Sequence, residues 1–110
     1  MASGWLPLIV ASLFEIAMAV ALKAAAGWTR LWPSVLGIAA AAASFFFLTF
    51  ALRQLPLGVA YSVWTGIGTA GVAVVGIAWF GESASVARLT FIGLIAVGTV
   101  GLQLTDIGAA

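Results

Sequence analysis

Two short stretches hold most of the side chains in this chain that could do chemistry. In ASLFEIAMAV, residues 11–20, Glu15 stands alone in an apolar run with no basic residue within a turn or two. A carboxyl in apolar surroundings favours its neutral form, and a docked organic cation favours the ionised form, so proton and cation would compete for one group. In GVAYSVWTGIG, residues 58–68, Tyr61 and Trp64 are three positions apart and share one helix face, with Gly66 and Gly68 just beyond. Aromatic faces attract organic cations. The two glycines give a smooth edge for close packing and a place where the helix can bend. The plainer reading of the same rings is helix packing, with their N–H and O–H groups bonded to backbone carbonyls.

The elements that must carry these residues follow from composition. The chain has 110 residues, 65% hydrophobic and 6% charged, whereas soluble domains devote about a quarter of their residues to charge. Such a chain cannot cover a water-facing surface, so most of its solvent is lipid. Without Cys or His it lacks thiolate ligands, disulfides and the commonest metal ligand and general base. No nucleophile, metal cluster or phosphate loop is visible, and Gly66-x-Gly68 follows no strand, so neither an enzyme nor a dinucleotide site is expected. A net charge of +1 gives no basic footprint for nucleic acid. The N-terminus lacks the basic n-region of a signal peptide, which predicts a retained first span. Apolar windows at 4–22, 31–52, 57–80 and 86–104 are each near the roughly 20 residues that cross a bilayer. Gly27, Thr29 and Pro33 punctuate the first link; Pro56 opens the third window; Gly81, Ser83 and Ser85 precede the fourth. Links this short predict antiparallel hairpins in a single all-α membrane domain of four helices, with function confined to the membrane.

Lys23, Arg30, Arg53, Glu82, Arg88 and Asp106 fall at or near window ends, which leaves Glu15 as the one formal charge deep in a span. Lys23 reads best as a snorkelling interface anchor. Glu15 lies about 16 Å into a span about 28 Å long, the costliest depth for charge, where ionisable residues normally face a bundle interior and mark an ion or proton path. The structural alternative is a neutral Glu that hydrogen-bonds a neighbouring helix. Ala11, Ser12 and Ala19 leave room on its face, and Met18 shares that face. Trp5, Trp28, Trp32 and Trp79 sit near span ends, where indoles favour the headgroup level. Lys23, Arg30 and Arg88 on one side nearly balance Arg53 and the amino terminus on the other, which predicts insertion either way up. Two chains in opposed orientation would place eight helices around two carboxylates, a two-chain counterpart of an inverted repeat. If the empty, deprotonated site is too costly to reorient, alternating access would exchange inward protons for an outgoing cation.

With its single intramembrane Glu, GWTRLWPS at 27–34 and the pattern Pro56-x-Gly58-x-Ala60-Tyr61-x-x-Trp64, the chain resembles the small multidrug resistance family over nearly its whole length. That resemblance implies an antiparallel, dual-topology homodimer in the bacterial inner membrane. Such a dimer exports cations in exchange for protons, with Glu15 of both chains in a shared site and no cofactor beyond the coupling protons. WTGIG at 64–68 and GESAS at 81–85 look like the guanidinium-exporting branch, in which a helix-two Ser, here Ser44, supports the site Glu together with Tyr61 and Trp64. Taken alone, Ser44 reads as a self-satisfied helical serine. Met18 departs from both branches, because guanidinium exporters usually carry Trp at that position and drug exporters usually carry Gly. Its flexible thioether could admit a hydrophobic substituent on the cation.

Guanidinium suits a carboxylate with aromatic neighbours, since its N–H groups pair with the oxygens and its faces contact rings. Quaternary ammonium ions lack those donors and would depend on Tyr61, Trp64 and Met18. Gly93, Ala96 and Gly101 give the fourth helix a small-residue edge, which the family uses as its dimer contact and which would serve packing within one chain nearly as well. A rival of another class is a structural membrane subunit anchored by Glu15. A further alternative is a chain that works only beside a related, non-identical partner.

Overall fold

Each link between helices is built by a local rule. After Ala25 the chain turns through Ala26, Gly27 and Trp28, all with positive φ, and the Thr29 hydroxyl donates to the Ala26 carbonyl at 2.8 Å. Glycine adopts this left-handed backbone freely, while Ala26 and Trp28 each oppose it by about 1–2 kcal/mol, so the rest of the hairpin must hold the turn closed. Pro56 caps the third helix with φ −58° and ψ 143°, where a missing N–H leaves no helical bond unmade. Gly81, with φ +68°, reverses the chain after Phe80.

The computed structural model describes residues 2–109, with side chains described for 4–105. It contains four helices: α1 (Ala2–Ala24), α2 (Leu31–Leu52), α3 (Leu57–Trp79) and α4 (Val86–Ala109). All four are long and apolar enough to cross a membrane. The fold class is therefore the all-α, four-span membrane architecture expected from composition. The side chain of Asp106, placed at a window end above, lies outside those described.

α1 is the hub. It packs most extensively on α2 and also on α3, while α4 packs on α3 alone among the described residues. Phe14 and Phe47 stack across the α1–α2 seam with centroids 5.9 Å apart and planes 3° from parallel. A buried cluster of Trp5, Leu8, Ala11, Leu48, Ala51, Leu55, Ala60, Val63 and Trp64 joins α1, α2 and α3 at one end of the bundle. The Cα extents are 46 × 35 × 16 Å, a slab rather than a closed cylinder. α4 lies at one edge of this slab with nearly all its described side chains exposed.

Trp5 departs from the interfacial belt expected of it. Trp28, Trp32 and Trp79 are exposed, but Trp5 is buried and its Nε1–H has no partner among the described residues. A Cβ at the adjacent Gly4 would meet Leu55 Cγ at 3.0 Å, so the start of α1 presses against the α2–α3 link and covers the indole.

Candidate functional site

Glu15 is held on the face of α1 that meets α3. Its carboxyl lies directly against the backbone of Gly68, where any Cβ would collide with Oε1 and Cδ and lie 3.1 Å from Oε2. The helix can approach a carboxyl this closely only because residue 68 has no side chain. Oε1 is buried and has no hydrogen-bond partner among the described residues. A buried carboxylate oxygen in that condition costs about 1–3 kcal/mol or more, so the group is poised for a proton or a cationic donor. Glu15 lines a cavity of about 540 Å³ between α1 and α3, shared with Met18, Lys23, Gly68 and Thr69. The cavity runs along α3 to Gly76 and is bordered at that end by the partly exposed side chains of Glu82 and Arg88.

Ser44, Tyr61 and Trp64 form a second group outside the lining of that cavity. Ser44 is buried and donates to the Ala11 carbonyl at 2.7 Å, while Trp64 Nε1–H donates to Ser44 Oγ at 3.0 Å. One hydroxyl thus ties α2 to α1 and α3 to α2. In an α-helix the Ala11 carbonyl also receives the N–H of Glu15, four residues on, so Ser44 is fixed to the turn that carries the carboxyl rather than to the carboxyl itself. Tyr61 is exposed with its ring centroid 5.3 Å from that of Trp64, and Phe45 flanks Trp64 on another side at 5.8 Å. The structure therefore brings Glu15, Met18 and Gly68 together in one cavity and Ser44, Tyr61 and Trp64 together in a bonded, aromatic cluster. No hydrogen bond links the two groups through the Glu15 carboxyl among the described residues.

Gly66 and Gly68 of α3 are used for close approach. Gly68 receives Glu15, and Gly66 receives the Thr99 side chain of α4, whose hydroxyl donates to the Ile95 carbonyl at 2.9 Å. α3 continues as one helix through both positions. On α4, Gly93 and Gly101 are exposed, and a Cβ at either would meet nothing within 4 Å; Ala96 borders a recess shared with Gly66 and Thr99. Sequence reasoning missed the cavity mouth, where Gly76 and Glu82 meet. The available signal was the last of the five α3 glycines, eight residues after Gly68, followed six residues later by an acidic residue.

Four apolar helices in an all-α bundle are the architecture that the sequence resemblance implied. The profile described as "Small Multidrug Resistance protein" matches residues 3–95. The chain belongs to the small multidrug resistance family. Among curated members of the family, a "Guanidinium exporter" of Yersinia pseudotuberculosis is 49% identical over 103 residues, covering 94% of this chain and 99% of that one. Proteins of the same name from Citrobacter freundii and Salmonella typhimurium are each 50% identical over 102 residues, covering 93% of this chain and 97% of theirs. Family membership and the four apolar spans make this small multidrug resistance protein a multi-pass protein of the bacterial inner membrane.

Proposed function

We propose that this chain exports guanidinium, or small guanidinyl cations, in exchange for protons, and that it works as an antiparallel homodimer. The observation that carries this reading is the Glu15 oxygen, buried without a partner among the described residues, in the wall of a cavity that runs from mid-span to one end of the bundle. Ionised, the carboxylate accepts paired N–H bonds from a planar guanidinium; protonated, it holds the site in a form able to reorient without cargo. The names of the relatives support guanidinium as cargo. The slab shape and the exposed small residues Gly93, Ala96 and Gly101 support a second copy that completes the enclosure and brings a second Glu15 to it. The role is transport, with Glu15 binding cargo and protons in turn rather than catalysing a reaction. Protons are the only coupling agent required.

Met18 in the cavity wall favours a second reading, export of quaternary ammonium or other lipophilic cations by the same exchange. Purified protein in sealed liposomes separates the two. With guanidinium inside and none outside, inward acidification is expected. A response to a bulky quaternary ammonium and none to guanidinium would reverse the assignment, and no proton movement with either cation would refute antiport.

A further inference from the structure

The α3–α4 link places a second carboxylate at the mouth of the Glu15 cavity, seated as Glu15 is. The Glu82 N–H donates to the Gly76 carbonyl at 3.1 Å, which folds the link back over the end of α3. A Cβ at Gly76 would lie 2.6 Å from Glu82 Oε1 and 2.8 Å from its Cδ, so the carboxylate rests on bare helix backbone. Gly68 and Gly76 are about 12 Å apart along α3, and one cavity joins the carboxylates that rest on them. Glu15 lies at mid-span; Glu82 lies where the cavity meets the interface. The Glu82 side chain is 42% exposed, open to solvent as a docking point must be.

Glu82 already holds a guanidinium. Arg88 Nη2 bonds its Oε1, Arg88 Nη1 donates to the Ser83 carbonyl at 3.2 Å, and the Arg88 N–H donates to Ser85 Oγ at 3.2 Å. The Arg88 head group is therefore a built-in copy of the proposed cargo, with one nitrogen on the Glu82 carboxylate and the other on the Ser83 carbonyl. Lys23 lines the same cavity and is the other basic residue in its lining.

We propose that Glu82 is an outer cation subsite, which takes a guanidinium group from water before Glu15 does, and that Arg88 is its internal competitor. The inference rests on the guanidinium reading above. An entering cation displaces Arg88 from Glu82, is held within a short distance of the Glu15 cavity, and moves inward when Glu15 is ionised. Arg88 closes on Glu82 behind it, so the mouth carries no unpaired carboxylate when cargo is absent.

Guanidinium-driven proton flux is measured in sealed liposomes for the full chain and for Glu82→Gln and Arg88→Gln, each over a range of guanidinium concentrations. Removing the docking carboxylate is expected to raise KM about three- to fivefold, the scale of a half-exposed charge pair, with the saturating rate retained. Removing the competitor is expected to lower KM about two- to threefold. The opposite signs are decisive, because an ion pair that only braces the link would move KM in the same direction when either partner is lost. KM shifts of the same sign, or an unchanged KM in Glu82→Gln, would overturn the subsite. If one variant loses its saturating rate through misfolding, Glu82→Asp replaces Glu82→Gln and Arg88→Lys replaces Arg88→Gln, with the same expected signs in weaker form. A wild-type chain that moves no guanidinium would refute the transport reading itself and the subsite with it, whereas wild-type flux with same-sign variants would refute the subsite alone.

Discussion

Replacing Ser44 by Ala tests whether that hydroxyl is a tie between helices or a ligand of the site. The substitution removes the 2.7 Å bond to the Ala11 carbonyl and the acceptor of the 3.0 Å bond from Trp64. Ser44 is 1% exposed and Trp64 7%, so no water replaces the lost acceptor and the indole N–H is left buried and unpaired. Interhelical hydrogen bonds in membrane proteins average about 0.6 kcal/mol and reach about 1.7. A buried donor left unmade adds to that cost, so Ser44→Ala is expected to destabilise the fold by about 1.5–3 kcal/mol. Unfolding in mixed detergent and denaturing micelles, followed by tryptophan fluorescence, measures the loss. A cycle with Trp64→Phe isolates the Ser44–Trp64 bond, for which a coupling of about 0.6–1.7 kcal/mol is expected. Additive single and double variants, or a Ser44→Ala protein as stable as wild type but with a raised cation KM, would refute the tie and move Ser44 into the cation site.

Glu15→Gln should abolish cation-driven proton flux while the chain still folds and dimerises, as cross-linking and size-exclusion profiles would report; retained flux would favour a structural anchor. Because proton and cation compete at Glu15, the guanidinium KM should rise as pH falls, by up to roughly tenfold per pH unit for one competing proton, and a pH-independent KM would refute shared occupancy. Gly68→Ala forces a methyl group into the Glu15 carboxyl, and an overpacking cost of about 1–3 kcal/mol should appear as lost cation binding in equilibrium titrations. A Cβ at Gly93 would meet no atom within 4 Å in the single chain, so Gly93→Leu should leave monomer secondary structure unchanged in circular dichroism while lowering the cross-linked dimer fraction if α4 is the contact between copies.

The spans, their number and the depth of Glu15 were legible because the hydrocarbon core imposes a length and forbids unpaired charge, constraints that act on sequence directly. The family pattern was legible for a related reason, since Pro56, Gly58, Tyr61 and Trp64 are local in the chain. What the sequence could not supply was which partner each side chain meets across a helix seam. Taken alone Ser44 reads as a self-bonded helical serine, and the family resemblance makes it a support for the carboxylate. Only the packing of α2 between Ala11 and Trp64 assigns its proton to a backbone carbonyl and its lone pair to an indole. Gly66 and Gly68 read as a smooth packing edge and a place to bend, with no partner specified; the rotation of α3 decides that one admits Thr99 and the other Glu15. Trp5 and Glu82 both read as interface residues by position. A close approach at Gly4 buries the first, and a link folded over Gly76 carries the second to the cavity of Glu15. Hydropathy selects which segments leave water, but inside lipid every helix face is apolar, so the relative rotation of helices is set by small residues and a few polar bonds whose partners lie far apart in the chain.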